Sequence, residues 1–299
     1  MNAPRIEADV RREFERRLVE LRPKLHRYCA RMTGSVFDGE DALQDALSKA
    51  IPAFDAAAPP ANPEAWLMAI AHNAAVDFLR RRAREPKAFS NEEAEMVADE
   101  SPTPEERLIA ATSLRAFMDL PAIQRSCVIL MDVLDYSLQE IGAILHATIP
   151  AVKAALHRGR ERLRIAASAP PDRPTKALGG AERALLALYV DRFNARDFDA
   201  VRDMLADEVR LDMVAKARME GPTEIHGRYL HNYDLARDWR LSLGVVDGRP
   251  ALLVRDPADT TGAVAYFVQL EWADGRLINI RDFRYARYVV DGAEVDALD

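Results

Sequence analysis

Lys153, His157, Arg160 and Arg164 recur at i, i+4, i+7 and i+11 in the middle of the chain. At about 100° per residue they form one cationic stripe, a quarter-turn from Val152, Leu156 and Leu163, which point to a core. Upstream, Ser137-x-x-Glu140 reads as a capping box ahead of Leu138, Ile141 and Leu145. His146-Ala147-Thr148 reads as a turn, and Thr148 as the cap of a second helix with Pro150 in its first turn. A helix pair whose second member carries an exposed basic stripe suits docking into a DNA major groove. Helix pairs are common, so the stripe rather than the pair carries the argument.

Two further helices hold polar side chains off their buried face. In one, Leu43, Ala46, Leu47, Ala50 and Ile51 make an apolar stripe, while Asp41, Gln44, Asp45 and Ser48 line another face. Taken alone, that acidic stripe fits the solvated face of a core helix better than a docking face for a basic partner. The other opens at Asn62, a good N-cap, with Pro63 and Glu64 in its first turn. Leu67, Ile70, Ala71, Ala74 and Phe78 are its core stripe. Trp66, His72, Asn73, Asp77 and Arg80 lie off it, and it runs into Arg80-Arg81-Arg82. The arginines either compensate the helix dipole or engage phosphates and unstacked bases. Trp66 alone reads as a core edge.

The chain that must position these groups has 299 residues, so two or three domains are expected. At 49% hydrophobic and 30% charged residues it reads as a soluble globular protein. No run approaches the ~18 apolar residues of a membrane span. The first residues are rich in Arg and Glu without an apolar stretch, which argues against a secretory signal. Cys29 and Cys127 are the only cysteines, giving neither a disulfide framework nor a zinc cluster. Both read as buried packing, and a reducing, cytoplasmic setting follows. No metal and no cofactor are expected.

The net charge is −7, unevenly spread: 23 Lys+Arg and 25 Asp+Glu in residues 1–168 against 18 and 23 in the rest. Two basic knots, Arg80–Lys87 and Lys153–Arg164, sit in the first part. Local basic knots on a weakly acidic chain suit a protein that touches DNA with help from a partner. Composition divides the chain into a helical domain at 8–86, an acidic, Pro-containing linker at 87–103, a second helical domain at 104–167, a Pro/Gly linker at 168–180 and an α+β domain at 181–290. Thr103-Pro104-Glu105-Glu106 reads as a sharp helix start. In the last domain two helices precede period-2 runs at 209–213, 241–246, 252–255, 264–272 and 277–283. Asp247-Gly248 and Asp274-Gly275 are hairpin signals. No internal repeat is present.

Together these blocks resemble the extracytoplasmic-function (ECF) group of sigma factors, the bacterial RNA polymerase specificity subunits. Glu40–Leu47 resembles sigma region 2.2. Trp66-Leu67-x-x-Ile70-Ala71-His72-Asn73-x-x-x-Asp77-x-x-Arg80-Arg81 resembles regions 2.3 and 2.4. Leu120-Pro121-x-x-x-Arg125, Glu140-Ile141-Gly142 and Val152–Leu163 resemble region 4. The blocks keep the family's order over roughly 11–165. The resemblance implies two all-α sigma domains, a region 2 helix bundle and a region 4 helix–turn–helix. It implies that Asp41, Leu43, Gln44 and Asp45 bind core RNA polymerase. It places Asn62, Trp66, His72, Asn73, Asp77, Arg80 and Arg81 at the melted −10 strand of promoter DNA. It places Thr148, Lys153, His157, Arg158 and Arg160 at the −35 element. His72 stands where the family often has Arg, and His146 where Gly is frequent.

The last domain resembles the SnoaL-like cone, a curved antiparallel sheet lined by helices around a pocket. The resemblance rests on Leu185–Phe193, Asp197–Leu205, Val209–Met213 and the closing Asp282–Tyr288. It implies a fused domain that tunes transcription initiation through intramolecular contact with the sigma domains or the polymerase. Met213–Arg218 lacks the Asp-Gly-Gly-Gly-Arg motif of one such subgroup. Asp212, His226, His231, Tyr189 and Tyr266 could serve proton transfer, but they assemble no base with an oxyanion-stabilising pair, so no enzyme activity is expected. A stand-alone DNA-binding regulator with a ligand-sensing domain and an enzyme in the last domain are the alternative readings.

Overall fold

The computed structural model describes residues 3–56, 60–84, 114–167, 179–236, 239–256 and 258–298. The chain divides into two compact units, Met1–Pro171 and Asp172–Asp299. The expected linker at 87–103, the helix start at Thr103–Glu106 and most of the linker at 168–180 lie outside the described residues. Among the described residues no helix is long and apolar enough to cross a membrane.

The first unit is all-helical. Its long helices are α1 (Ala3–Thr33), α2 (Val36–Ala56) and α3 (Pro63–Arg84). A 3-10 turn (Arg115–Asp119) leads into α4 (Ala122–Val128), which continues as a π-helical turn (Ile129–Val133). Then come α5 (Leu138–Leu145) and α6 (Ile149–Ala167). The expected capping box forms in full. Ser137 Oγ accepts from the Glu140 N–H, and the Glu140 carboxylate accepts from the Ser137 N–H at 2.8 Å. His146 ends α5 in the left-handed region at φ 52°, which a Gly would adopt at lower cost. Two glycines permit close helix contacts. A Cβ on Gly39 of α2 would stand 2.5 Å from the Ala30 Cα of α1, and one on Gly159 of α6 2.7 Å from Val128 of α4.

The described residues of both helical segments share one core. Leu25, Met32, Leu43, Leu67 and Ala71 pack in the same cluster as Phe117, Val128, Ile141, Val152 and Leu156. A polar seam runs through it. The buried Tyr28 hydroxyl is hydrogen-bonded to His72 Nδ1 at 2.8 Å and donates to Ser126 Oγ at 3.1 Å; Ser126 donates to the Ala122 carbonyl at 2.8 Å. At the seam's edge Lys24 and the Tyr136 hydroxyl both reach Glu64 Oε1, at 2.6 and 2.8 Å. Burial pushes Glu64 upward, but these two partners outweigh it and hold the carboxyl below its usual range. Arg125 is buried without a carboxylate. Its guanidinium donates to the carbonyls of Met32, in the last turn of α1, Met118 and Leu120. A helix C-terminus is a favourable place for a cation.

The second unit is α+β. Helices α7 (Gly180–Asn194) and α8 (Phe198–Asp203) precede a seven-stranded sheet. Its strands are β1 (Leu205–Met213), β2 (Ala217–Glu220), β3 (Arg240–Val246), β4 (Arg249–Arg255), β5 (Val264–Ala273), β6 (Arg276–Asp282) and β7 (Val295–Ala297). Their order is β2-β1-β6-β5-β4-β3-β7. All neighbours are antiparallel except β1 and β6, so the sheet is mixed where an antiparallel one was expected. That pair is parallel because β1 enters the sheet directly from α8 and only the last strand of the meander returns beside it. Asp247-Gly248 and Asp274-Gly275 take positive φ at both residues, as a two-residue hairpin turn requires. A helical stretch from Pro222 to Leu235, π-helical over Ile225–Leu230, links β2 to β3. The Asn194 side chain fixes α7 to β3 by two 2.9 Å bonds with the Leu241 backbone.

Two outcomes follow for the first unit. Ser137→Ala removes the capping box and should lower its unfolding free energy by about 1 kcal/mol in urea melts. His26 and His72 are held neutral by burial, each pushed down to about 4 from an ordinary value near 6.5. The unfolded chain therefore binds more protons between these values, so stability falls as pH drops from about 6.5 toward 4. Each histidine should add about 1.4 kcal/mol per pH unit to that slope. His72→Gln should remove its share in urea melts at stepped pH; an unchanged slope would refute the assignment.

Candidate nucleic-acid interface

The acidic stripe of α2 and the arginines closing α3 are neighbours, which their separation in sequence conceals. Arg81 Nη2 lies 2.7 Å from Asp45 Oδ2, and Arg82 Nη1 2.6 Å from Asp38 Oδ2. Lys49 and Arg80 both stand 3.7 Å from Asp77. Apart from the buried Asp38 these groups are largely solvent-exposed, and exposed pairs contribute at most about 1 kcal/mol each. A stronger charged partner can take either member. Asp41, Gln44 and Asp45 are half-buried on that face, and Gln44 donates to Glu40 at 3.4 Å. Leu43 is 0% exposed. Its place in the helical repeat puts it in the core, so the polymerase-facing expectation narrows to the three polar residues.

Along α3, Asn62 caps the helix by accepting from the Ala65 N–H at 3.1 Å and is itself exposed, as are Asn73, Arg80 and Arg81. Asp77 is half-buried. Trp66 is half-buried, 6.2 Å from the Phe14 ring, which stacks on Phe54. His72 faces the seam rather than solvent alone, with its Nδ1 taken by Tyr28. The seven-residue stretch Asn73–Leu79 separates it from the cations at the helix end.

In the helix–turn–helix, Thr148 and Lys153 are exposed and His157 and Arg158 half-buried. Thr148 caps α6, accepting from the Ala151 N–H at 3.4 Å. Arg160 departs from the expected stripe. Its guanidinium grips Asp132 bidentately at 2.7 and 3.0 Å, and the two side chains are 19% and 4% exposed. It ties α6 to the π-helical turn. Periodicity could not reveal Asp132, which comes from another element. The DNA-facing expectation therefore narrows to Thr148, Lys153, His157 and Arg158. Arg164 pairs with Glu161 on its own helix at 2.6 Å.

In the second unit the proton-transfer candidates do not gather. Asp212 lies 3.8 Å from Arg218, His226 3.9 Å from Asp199, and His231 is exposed. Tyr189 and Tyr266 are buried around a carboxylate that the sequence reading passed over, Asp282. Its Oδ2 accepts from Tyr229 and Tyr233 at 2.8 and 2.9 Å, its Oδ1 from the Arg284 N–H at 2.7 Å. Burial pushes Asp282 above the ordinary carboxylate value, and these three donors offset only part of that. The signal was available: Asp282 shares a strand face with the core residue Ile280. Among the described residues no cluster of three or more metal-ligating side chains forms.

Comparison with known proteins agrees with this layout. The family model for Sigma-70 region 2 matches residues 18–85, and that for Sigma-70 region 4 matches residues 114–163. The ECF RNA polymerase sigma factor SigW of Bacillus subtilis is 30% identical over 155 residues, covering 47% of this chain and 81% of SigW. SigG of Mycobacterium tuberculosis is 27% identical over 238 residues, 71% of this chain; the chain spans 64% of SigG's length. Among solved structures, the Mycobacterium tuberculosis ECF sigma factor SigJ aligns over 88% of this chain and 93% of its own, at 19% identity and a TM-score of 0.36. With both sigma regions in order and most of SigW matched at this identity, the chain belongs to the extracytoplasmic-function group of RNA polymerase sigma factors.

Proposed function

We propose that this protein docks on core RNA polymerase, recognises the −35 and −10 elements of its promoters and starts transcription. The observation that carries the reading is the placement of α2 and α3. An acidic face and an arginine-rich helix end lie side by side, in exposed pairs that a partner can replace. A stand-alone DNA-binding regulator needs the helix–turn–helix but has no use for such a face. Asp41, Gln44 and Asp45 would meet basic residues of the polymerase. Asn62, Trp66, Asn73, Arg80 and Arg81 would hold the melted −10 strand, where flipped bases need stacking and pocket contacts. His72 would join them once the seam with Tyr28 and Ser126 parts. Thr148, Lys153, His157 and Arg158 would dock at the −35 element.

A net charge of −7 opposes unaided binding to DNA, so the polymerase would supply most of the electrostatic attraction. The protein would act in the cytoplasm, where its partners are. The second unit, an α+β fold of the kind expected for a SnoaL-like cone, would tune this activity through contact with the sigma regions or the polymerase, without turnover of its own.

In vitro transcription with bacterial core polymerase on genomic promoter fragments tests the reading. Promoter-specific transcripts are expected from the full chain. The ratio to a chain ending at Pro171 gives the sign of control by the second unit. Absence of transcripts and of core binding, with specific duplex binding by the protein alone, would replace this reading with the stand-alone regulator. Asp41→Ala with Asp45→Ala should weaken core binding about tenfold, roughly 1.4 kcal/mol, without loss of fold. Lys153→Ala should weaken promoter binding by the holoenzyme and lower the salt-dependence slope by about 1 if it meets a phosphate. An unchanged slope would exclude that contact.

A further inference from the structure

We infer that the second unit holds a binding site for a small organic acid, a single carboxylate on an apolar body. The site is the cavity of about 300 Å³ bounded by Tyr229, Tyr233, Asp282 and Arg284, a volume at the lower end for small-molecule sites. Three observations give it this chemistry. The first is a cation with no ion-pair partner among the described residues. The Arg284 guanidinium is half-buried and stacked over two rings, 5.2 Å from Tyr233 and 5.3 Å from Trp239. No carboxylate of the described residues lies within ion-pair distance of it. Stacking fixes the plane of a guanidinium and leaves its N–H edge for a planar acceptor.

The second observation is that Asp282 is already engaged. One oxygen accepts from two tyrosine hydroxyls and the other from the backbone N–H of Arg284. Tyr266 lies 2.8 Å beyond Tyr233 and donates to it, which closes the chain of donors. The buried carboxylate is thus held by three donors of its own and stands outside ion-pair distance of the guanidinium.

The third observation is the rim. Leu235 is 70% exposed and Tyr285 50% exposed, and both line the cavity. Large apolar side chains left in water at the mouth of a small cavity suit the body of an aromatic or aliphatic acid. Asn232 adds an amide that can orient the carboxylate. Binding at this site does not depend on the transcription reading.

Calorimetric titration of the full chain with benzoate, benzamide and benzylamine separates the possibilities. The three share a ring and differ in charge. Benzoate should bind saturably in the millimolar range or tighter, with the neutral amide and the cationic amine at least about tenfold weaker. Arg284→Gln should weaken benzoate about tenfold, while Arg210→Gln on exposed β1 should not. In the ¹H–¹⁵N spectrum of the unaltered chain, benzoate should shift amides within Tyr229–Leu235 and Asp282–Tyr285, a readout independent of any variant's folding. Absence of saturable benzoate binding, equal or tighter binding of benzylamine, or indifference to Arg284→Gln would overturn the proposal.

Discussion

The hydroxyl of Tyr28 is the point on which the first unit turns. It is fully buried, it is hydrogen-bonded to His72 of α3, and it donates to Ser126 of α4. Burial drives the Tyr28 pKa up and that of His72 down, so both stay neutral and the seam costs no buried charge. A neutral hydrogen bond in an apolar core adds about 1 kcal/mol, but leaving its partner unsatisfied costs more. The seam therefore specifies one packing of α1–α3 against α4–α6. His72, which the proposed function gives to the −10 strand, sits in that seam, so strand capture would compete with this packing.

Charge is handled differently on the surface and in the core. The pairs Arg81–Asp45 and Lys49–Asp77 between α2 and α3 are exposed and individually weak, which is what an exchangeable docking face needs. The pair Arg160–Asp132 is bidentate and shielded, and breaking it would strand a largely buried carboxylate. Arg125 shows the third solution, a buried cation whose terminal nitrogens donate to backbone carbonyls, one of them at the end of α1. Its pKa is lowered by burial to about 10, still well above neutrality, so it stays charged. Three arginines of similar appearance in the sequence thus serve as exchangeable surface, structural clamp and helix tie.

The second unit repeats the theme of a polar group held in an apolar setting. Asp282 closes β6, where the helical stretch at 222–235 brings two tyrosines to it and α7 and β5 place one each nearby. The edge-to-face packing of Phe193 on Tyr233, at 5.0 Å, and of Tyr229 on Tyr233, at 5.1 Å, fixes the rings that carry those hydroxyls. The result is a rigid polar nest with an unpaired guanidinium at its open side.

Much of this was legible in the residues. Periodicity placed Val152, Leu156 and Leu163 in the core. Ser137-x-x-Glu140 announced its cap, and two Asp-Gly pairs announced hairpins. These are short-range properties: a helix face, a cap and a two-residue turn depend on side chains a few positions apart, so the sequence by itself determined the two helical segments, the helix–turn–helix and the α+β character of the remainder. Contacts between distant segments were not legible. Arg160 reads as an exposed cation until Asp132 is placed opposite it, and His72 as a surface residue until Tyr28 and Ser126 close over it. Asp282 accepts from two tyrosines that lie 49 and 53 positions away. Which polar side chains are shared inside and which are left for a partner was decided only by tertiary structure, because hydrogen-bond partners and burial belong to positions in space that no periodicity encodes.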